Sequence, residues 1–168
     1  MKRIYIITVL SALLIDQLTK YLVKANMEIY SSIRVLGDFF SLTYVENSGV
    51  AFGMLGNIGG DLKRWILSFV VFCAMILITI YWSREKNKSP LFTLACSLIT
   101  GGAAGNLIDR VFRGSITDFL EFGTQSWKFA IFNAADTFVT VGVGLFIIHT
   151  LITREATDAP GSSEHRPG

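Results

Sequence analysis

Four stretches of the chain are apolar enough to predict membrane-spanning helices. They are residues 4–23, 65–82, 90–108 and 133–153. The second and third contain no charged residue, and the fourth contains only Asp136, near its start. Each approaches the roughly 20 predominantly apolar residues with which an α-helix crosses a bilayer. The first is interrupted by Asp16 and Lys20, and charged residues inside a span need a structural or functional reason.

The first apolar stretch also has features of a secretory signal peptide, because Lys2 and Arg3 precede it. However, Asp16, Gln17 and Lys20 occupy the place where a small-residue cleavage site would lie. We therefore predict a helix that is retained in the protein.

The segment between the first two spans predicts a small β-rich unit. Residues 39–45 are rich in aromatic and β-branched residues, which favours a strand, and residues 46–49 (ENSG) are typical of a turn. The region 24–62 is too apolar for a freely solvated loop, so we expect it to lie on the membrane interface. The predicted fold class is an all-α membrane protein of four transmembrane helices with this small periplasmic β-rich subdomain. A single domain covers residues 1–154, and residues 155–168 are expected to form a disordered cytoplasmic tail.

Composition and charge exclude several functions. The chain is 51% hydrophobic, with a mean hydropathy of +0.50, which is unusual for a soluble domain of this size. A formal net charge of only +2 gives no broad basic surface for nucleic acid. Cys73 and Cys96 both lie in apolar runs without Cys-x-x-Cys or Cys/His spacing. We therefore expect no metal site and no cofactor.

The polar residues of the four spans converge on one side of the membrane. Antiparallel helices place the ends of the first and third spans beside the starts of the second and fourth. The polar residues at these ends are Asp16, Lys20, Asn106, Asp109, Arg110, Asn133 and Asp136. Basic residues at the chain start and in the short loop 83–89 favour cytoplasmic termini, although the total basic count of the two sides is nearly balanced. The connection 109–132 and the polar helix ends are then expected on the outer face.

Two groups of these residues have helical spacing. Asp16 and Lys20 lie one turn apart and predict an ion pair, which either serves only the fold or also orders a functional site. Asn106, Asp109 and Arg110 follow a glycine- and alanine-rich run that allows close helix approach. We expect Arg110 to hold nearby carboxylates or loop carbonyls.

Asp118 and Asp136 are acids without an obvious local cation. They lie on different predicted elements, and a connection that folds back would bring them together. Two close carboxylates in a low-dielectric site share a proton, as in aspartic proteases. Intramembrane acids equally mark proton relays and transport pathways. Serine chemistry is disfavoured, because the chain has no G-x-S-x-G motif.

Five short motifs occur in order along most of the chain. They are DQLTK at 16–20, NSGVAF at 47–52, GGAAGNLIDR at 101–110, ITDF at 116–119 and FNAAD at 132–136. Together they resemble the conserved blocks of the bacterial lipoprotein signal peptidase family, also called signal peptidase II. One small departure is Ile116, where the family usually has valine.

The resemblance implies an inner-membrane aspartic endopeptidase that removes signal peptides from prolipoproteins by cleaving before a diacylglyceryl-modified cysteine. Asp118 and Asp136 match the family's catalytic pair. The supporting positions are Asp16, Lys20, Asn47, Gly49, Asn106, Asp109, Arg110, Asn133 and Ala135. Expected partners are prolipoproteins, membrane lipids and inhibitors such as the cyclic antibiotic globomycin, and a monomer is expected.

Two other functions fit some of the same residues. A proton-coupled transporter subunit would use the acids to move ions or solutes and would cleave no peptide. A lipid-head-group transferase would need an array of aspartates on one helix to hold a metal, whereas Asp109, Asp118 and Asp136 are dispersed.

Overall fold

The computed structural model describes residues 1–48, 60–124 and 126–158 of the 168-residue chain. Its helices are α1 (Lys2–Asn26), α2 (Gly60–Arg84), α3 (Pro90–Arg113) and α4 (Ala134–Asp158). All four contain stretches long and apolar enough to cross a membrane. The predicted fold class, four spans with a small β-rich unit, is therefore confirmed.

Helix α3 is the central helix of the bundle. It contacts each of the other three helices, and 56% of its apolar stretch is buried inside the protein, against 11% for α2 and α4. Local sequence sets both of its ends. Ser89 caps the start by accepting a hydrogen bond from the Phe92 amide at 3.0 Å, and Pro90 occupies the first turn. Gly114 ends the helix in the left-handed conformation, with φ of 83°.

Glycines let α1 and α4 approach α3 closely. A Cβ atom on Gly101 would lie 2.9 Å from the Cβ atom of Ala12 in α1. A Cβ atom on Gly102 would lie 3.0 Å from the Val139 side chain in α4. The small residues therefore act as predicted from the sequence, by bringing the helix backbones together.

In the described part of the chain, three strands form one antiparallel sheet at the end of the bundle where α1 and α3 finish. They are β1 (Ser32–Leu36), β2 (Phe40–Asn47) and β3 (Ile116–Phe122), in the order β1-β2-β3. The predicted turn at 46–49 is wrong for its first two residues, since Glu46 and Asn47 pair with Thr117 and Ile116 of β3. This long-range pairing outweighs the local turn preference. Gly49 and the rest of residues 49–59 lie outside the described residues.

The chain doubles back between β3 and α4. Leu120 bridges to Phe132 and Gly123 bridges to Lys128, so the residues before α4 run alongside β3. The rings of Phe122 and Phe132 stack with their centroids 5.8 Å apart. As a result, the start of α4 lies next to the strand that carries Asp118.

The opposite end of the bundle is closed by aromatic packing. Tyr5 of α1 stacks on Trp82 of α2 at 4.0 Å, and its hydroxyl lies 2.9 Å from those of Thr79 and Thr100. Helix α4 continues to Asp158, four residues into the segment predicted to be disordered, and residues 159–168 lie outside the described part.

Candidate active site

Asn133 joins the two acids that the sequence singled out. It directly precedes α4 and is fully buried. Its side-chain NH₂ group donates to Asp118 Oδ1 at 2.6 Å, and its side-chain oxygen accepts from the backbone N–H of Asp136 at 3.0 Å. The backbone N–H of Asn133 in turn donates to Asp136 Oδ2 at 3.2 Å. This reciprocal pair is a capping box, in which the helix start itself orients Asp136.

Two further asparagines supply a second donor to each acid. Asn47, at the end of β2, donates to Asp118 Oδ2 at 2.9 Å. Asn106, in α3, donates to Asp136 Oδ1 at 2.7 Å. Both oxygens of each carboxyl group therefore have a fixed partner, and the partners come from different elements of the fold.

The environment of Asp118 makes its carboxyl group easier to protonate. Only 4% of the residue is exposed, and this burial raises the pKa of Asp118 to about 6. The negative charge of Asp136 also raises it, while the hydrogen bonds from Asn47 and Asn133 act in the opposite direction. Asp118 is thus a carboxyl group that holds a proton far more readily than an exposed aspartate does.

A buried cluster centred on Lys20 adjoins the two acids. The Lys20 Nζ atom lies 2.9 Å from Asp16 Oδ2 and 2.7 Å from Asp109 Oδ2, and all three side chains are fully buried. The Asp16–Lys20 ion pair predicted from helical spacing is present, and Asp109 joins it from α3. Lys20 also donates to Asn106 Oδ1 at 2.9 Å, which connects this cluster to Asp136, because Asn106 donates to Asp136.

The lysine cluster also reaches the start of α4. Asp16 Oδ1 accepts a hydrogen bond from the backbone amide of Ala135 at 2.9 Å. An Asp on α1 thereby satisfies one of the amides that every helix leaves free in its first turn. Ala135 contributes its backbone, and its fully buried side chain leaves room only for a small residue.

Arg110 places a positive charge among the acids. Its guanidinium group interacts electrostatically with Asp136, Asp118 and Asp109. Asp109 forms ion pairs with Lys20 and with Arg113, which lies one helical turn after it. The expectation that Arg110 lies near carboxylates agrees with these interactions, whereas the contact of Lys20 with Asp109 could not be predicted from spacing along the chain.

Most of the residues predicted from the sequence meet in this one network. Direct hydrogen bonds or ion pairs connect Asp16, Lys20, Asn47, Asn106, Asp109, Asp118, Asn133, Ala135 and Asp136. Gly49 lies outside the described residues. Within residues 1–48, 60–124 and 126–158, no group of three or more His, Cys, Asp or Glu side chains suits a metal ion.

The sequence did not predict a role in the site for Gln17 or Arg113. The Gln17 amide donates to Asp16 at 3.1 Å and lies 3.4 Å from Asp109, and its oxygen accepts from Arg113 at 3.1 Å. The available signal was the position of Gln17 directly after Asp16. Its links between α1 and α3 arise only from tertiary packing.

Replacing Gly105 with alanine is expected to destabilise the protein and lower its activity. A Cβ atom on Gly105 would lie 2.9 Å from the Asp16 carboxyl carbon and 3.4 Å from the Ala135 side chain. Overpacking of this kind costs about 1–3 kcal/mol. In the control, Gly144→Ala, the added atom meets nothing within 4 Å, and stability should hold or rise slightly. Thermal unfolding in detergent measures both, and equal stability of the two variants would contradict the close approach.

Comparison with known proteins identifies the chain's relatives. The signal peptidase (SPase) II family matches residues 8–152. The lipoprotein signal peptidase of Symbiobacterium thermophilum is 42% identical over 153 residues, covering 90% of this chain and 97% of the relative. That of Halalkalibacterium halodurans is 39% identical over 145 residues, covering 86% of this chain and 90% of the relative.

The fold has relatives among solved structures as well. One bacterial membrane enzyme superposes with a TM-score of 0.76 at 30% identity, covering 98% of this chain and 94% of that one. A second gives a TM-score of 0.76 at 32% identity, covering 88% of this chain and 92% of that one.

Proposed function

The chain belongs to the signal peptidase II family of membrane aspartic peptidases, and we propose that Asp118 and Asp136 are its catalytic pair. The substrate in this proposal is a prolipoprotein, cut directly before a cysteine that carries diacylglycerol. The observation that carries the assignment is the shared partner: Asn133 binds Asp118 through its side chain and Asp136 through its side chain and backbone.

The two acids have different roles in this proposal. Asp118 holds the shared proton and donates a hydrogen bond to the carbonyl oxygen of the scissile peptide bond, consistent with its raised pKa of about 6. Asp136 is ionised and takes a proton from the attacking water. It lies in the first turn of α4, where a helix favours negative charge. Asp136 then passes the proton to the leaving nitrogen, which completes hydrolysis.

The positive charges around the pair have a supporting role. Arg110 offsets the negative charge of the acids and of the oxyanion that develops on the carbonyl. Lys20 acts through Asn106, whose oxygen it holds while the amide group of Asn106 binds Asp136. The network therefore fixes the geometry of the two carboxyl groups before substrate arrives.

The proposed function is tested with purified protein and a precursor peptide in two forms, one with a diacylglyceryl group on its cysteine and one without. We expect cleavage of the lipidated form only, directly before the cysteine, as read by mass spectrometry. Cleavage of both forms would contradict the substrate assignment. Absence of cleavage together with ion flux in vesicles would favour the transporter.

We also propose that both termini are cytoplasmic and that the site faces the periplasm. The reason is that the polar network lies at the end of the bundle opposite the basic 83–89 loop. Lipid surrounds α1, α2 and α4, whose outward side chains are mainly exposed and apolar. A monomer is proposed, with inhibitors of the globomycin type acting at the same site.

Single-cysteine labelling checks this orientation. A cysteine at Ser126 should react with an impermeant maleimide on intact cells, and one at Asn87 only after permeabilisation. Both residues are exposed, and Cys73 and Cys96 are replaced first. A labelling cysteine at Gly123 is unsuitable, because its Cβ atom would lie 2.6 Å from the backbone of Lys128. Labelling of residue 87 from outside would reverse the assigned topology.

A further inference from the structure

A second polar cluster lies beside the active site and is centred on Glu46 of β2. We call it the Glu46 cluster, and its members are Lys24, Tyr44, Glu46, Ser115 and Thr117. Glu46 Oε1 lies 2.9 Å from Lys24 Nζ, 2.7 Å from the Tyr44 hydroxyl and 3.2 Å from that of Thr117. Glu46 Oε2 accepts from the Ser115 hydroxyl at 2.5 Å. Four donors thus meet on one carboxylate, and they come from α1, β2, β3 and the residue directly before β3.

The elements that meet at Glu46 are those that carry active-site residues. Glu46 directly precedes Asn47, and Thr117 directly precedes Asp118. Lys24 lies one helical turn after Lys20 on α1. A displacement of the Glu46 side chain would therefore change the position of Asn47 relative to Asp118.

The register of β2 against β3 depends on side-chain contacts such as those of Glu46. The register changes between Leu42 and Val45, where β2 contains a bulge. A slip of one residue turns every side chain of a strand to the opposite face. Beyond the bulge, Glu46 pairs directly with Thr117, and their side chains are hydrogen-bonded. This contact fixes the register in which the side chain of Asn47 meets Asp118.

We propose that Glu46 is a positioning residue for catalysis, which holds the Asn47 amide on the carboxyl group of Asp118. The proposal rests on the catalytic role assigned to Asp118 above. Glu46 acts through Asn47 and through the strand register.

The charge of Glu46 matters for this role. Burial alone would raise its pKa, but hydrogen bonds from Ser115, Lys24 and Tyr44 outweigh that effect, so the pKa of Glu46 lies below its ordinary value. Glu46 is thus ionised at neutral pH and accepts every one of its hydrogen bonds. A glutamine has an amide NH₂ group in place of one oxygen. This hydrogen-bond donor would face the donors that surround Glu46 and could not accept their hydrogen bonds.

The test compares Glu46→Gln with Glu121→Gln. Glu121 lies on the same sheet and also binds a lysine and a hydroxyl group. These partners are the Lys128 ammonium at 2.7 Å and the Thr43 hydroxyl at 2.5 Å. Its neighbours in the sequence are not active-site residues. We expect Glu46→Gln to lower kcat on the order of tenfold with little change in KM, because small misplacements of catalytic groups are costly. Glu121→Gln should leave kcat unchanged. Ser115→Ala, which removes one donor and keeps the carboxylate, should give a smaller loss of kcat.

A second readout does not depend on cleavage. The hydrogen bond from Asn47 lowers the pKa of Asp118, so loosening it in Glu46→Gln should raise that pKa. The other groups that face Asp118, namely Asn133, Asp136, Lys20 and Arg110, are the same in every variant. The carboxyl infrared band of Asp118, identified by its absence in Asp118→Asn, reports the titration.

The outcomes separate this proposal from the proposed function. A lower kcat and a raised Asp118 pKa in Glu46→Gln, with neither change in Glu121→Gln, would support the positioning role. Equal losses in Glu46→Gln and Glu121→Gln, or an unchanged Asp118 titration, would overturn it. If the wild-type protein fails to cleave the lipidated peptide, the proposed function is wrong, and the titration still decides whether Glu46 positions Asn47. If Glu46→Gln does not fold, Ser115→Ala decides by the same two criteria.

Discussion

Replacing either Asp118 or Asp136 with asparagine is expected to reduce cleavage by about 10³-fold or more. Asparagine has nearly the shape of aspartate, but it cannot take a proton from water or share one with its partner. General acid–base catalysis contributes about 10²–10⁴-fold, and both acids are needed for it. The measurement is processing of a diacylglyceryl-modified precursor by each purified variant, followed by gel shift.

Controls separate this loss from a loss of folding. Asp61→Asn removes a carboxylate whose side chain is 91% exposed, at the start of α2, and it should leave cleavage unchanged. The double variant Asp118→Asn/Asp136→Asn should be little worse than either single variant, because residues that act as a unit are non-additive. Near-normal cleavage by either single variant, in a protein that unfolds at the wild-type temperature, would contradict the assignment.

The titration of Asp118 gives a further check on the pair. Asp136→Asn removes a negative charge that raises the pKa of Asp118, so that pKa should fall from about 6 toward the ordinary value for an aspartate. Burial still raises it, so the fall should be partial. An unchanged titration would mean that the two carboxyl groups do not interact.

The sequence predicted the parts of the fold that depend on local pattern. Long apolar stretches predicted the four helices, since a bilayer demands such a length whatever the helix packs against. Helical spacing likewise predicted the Asp16–Lys20 pair. The third member, Asp109, arrives from α3, and no spacing along the chain encodes that contact.

The strand near the active site shows where local pattern failed. Residues 46–49 are a strong turn signal, yet Glu46 and Asn47 belong to β2. Their place is set by pairing with β3, more than 60 residues away. By contrast, Asn133 and Asp136 carry a readable local signal, because Asn-x-x-Asp at a helix start is the spacing of a capping box. That spacing links the two residues through the sequence alone.

The glycine-rich run in α3 is an intermediate case. Its composition predicted close helix packing, but nothing in the run indicates what each glycine accommodates. Gly101 admits the backbone of α1, whereas Gly105 makes room for the carboxyl group of Asp16. Gly101 therefore permits helix packing, and Gly105 permits the buried network around Lys20.

Replacing Lys20 with methionine is expected to lower both stability and activity. Lys20 is the cation that Asp16 and Asp109 share, and removing it leaves two fully buried carboxylates with reduced compensation. Breaking a buried ion pair costs on the order of 3–5 kcal/mol in soluble proteins. Asn106 loses a hydrogen bond at the same time, and its side-chain amide is one of the donors to Asp136. Chemical unfolding in detergent measures the first effect and the cleavage assay the second.

Two further variants separate the structural role of Lys20 from its catalytic one. Lys128→Met removes a lysine that is 65% exposed and paired with Glu121, and it should cost no more than about 1 kcal/mol. Neutralising all three charges, as Asp16→Asn/Lys20→Met/Asp109→Asn, should recover much of the stability, because no unpaired charge of the trio then remains buried. It should not recover cleavage, since Asn106 still lacks its hydrogen bond from Lys20. If Lys20→Met keeps wild-type stability yet loses activity, the ion cluster does not stabilise the fold, and Lys20 acts on the catalytic pair alone.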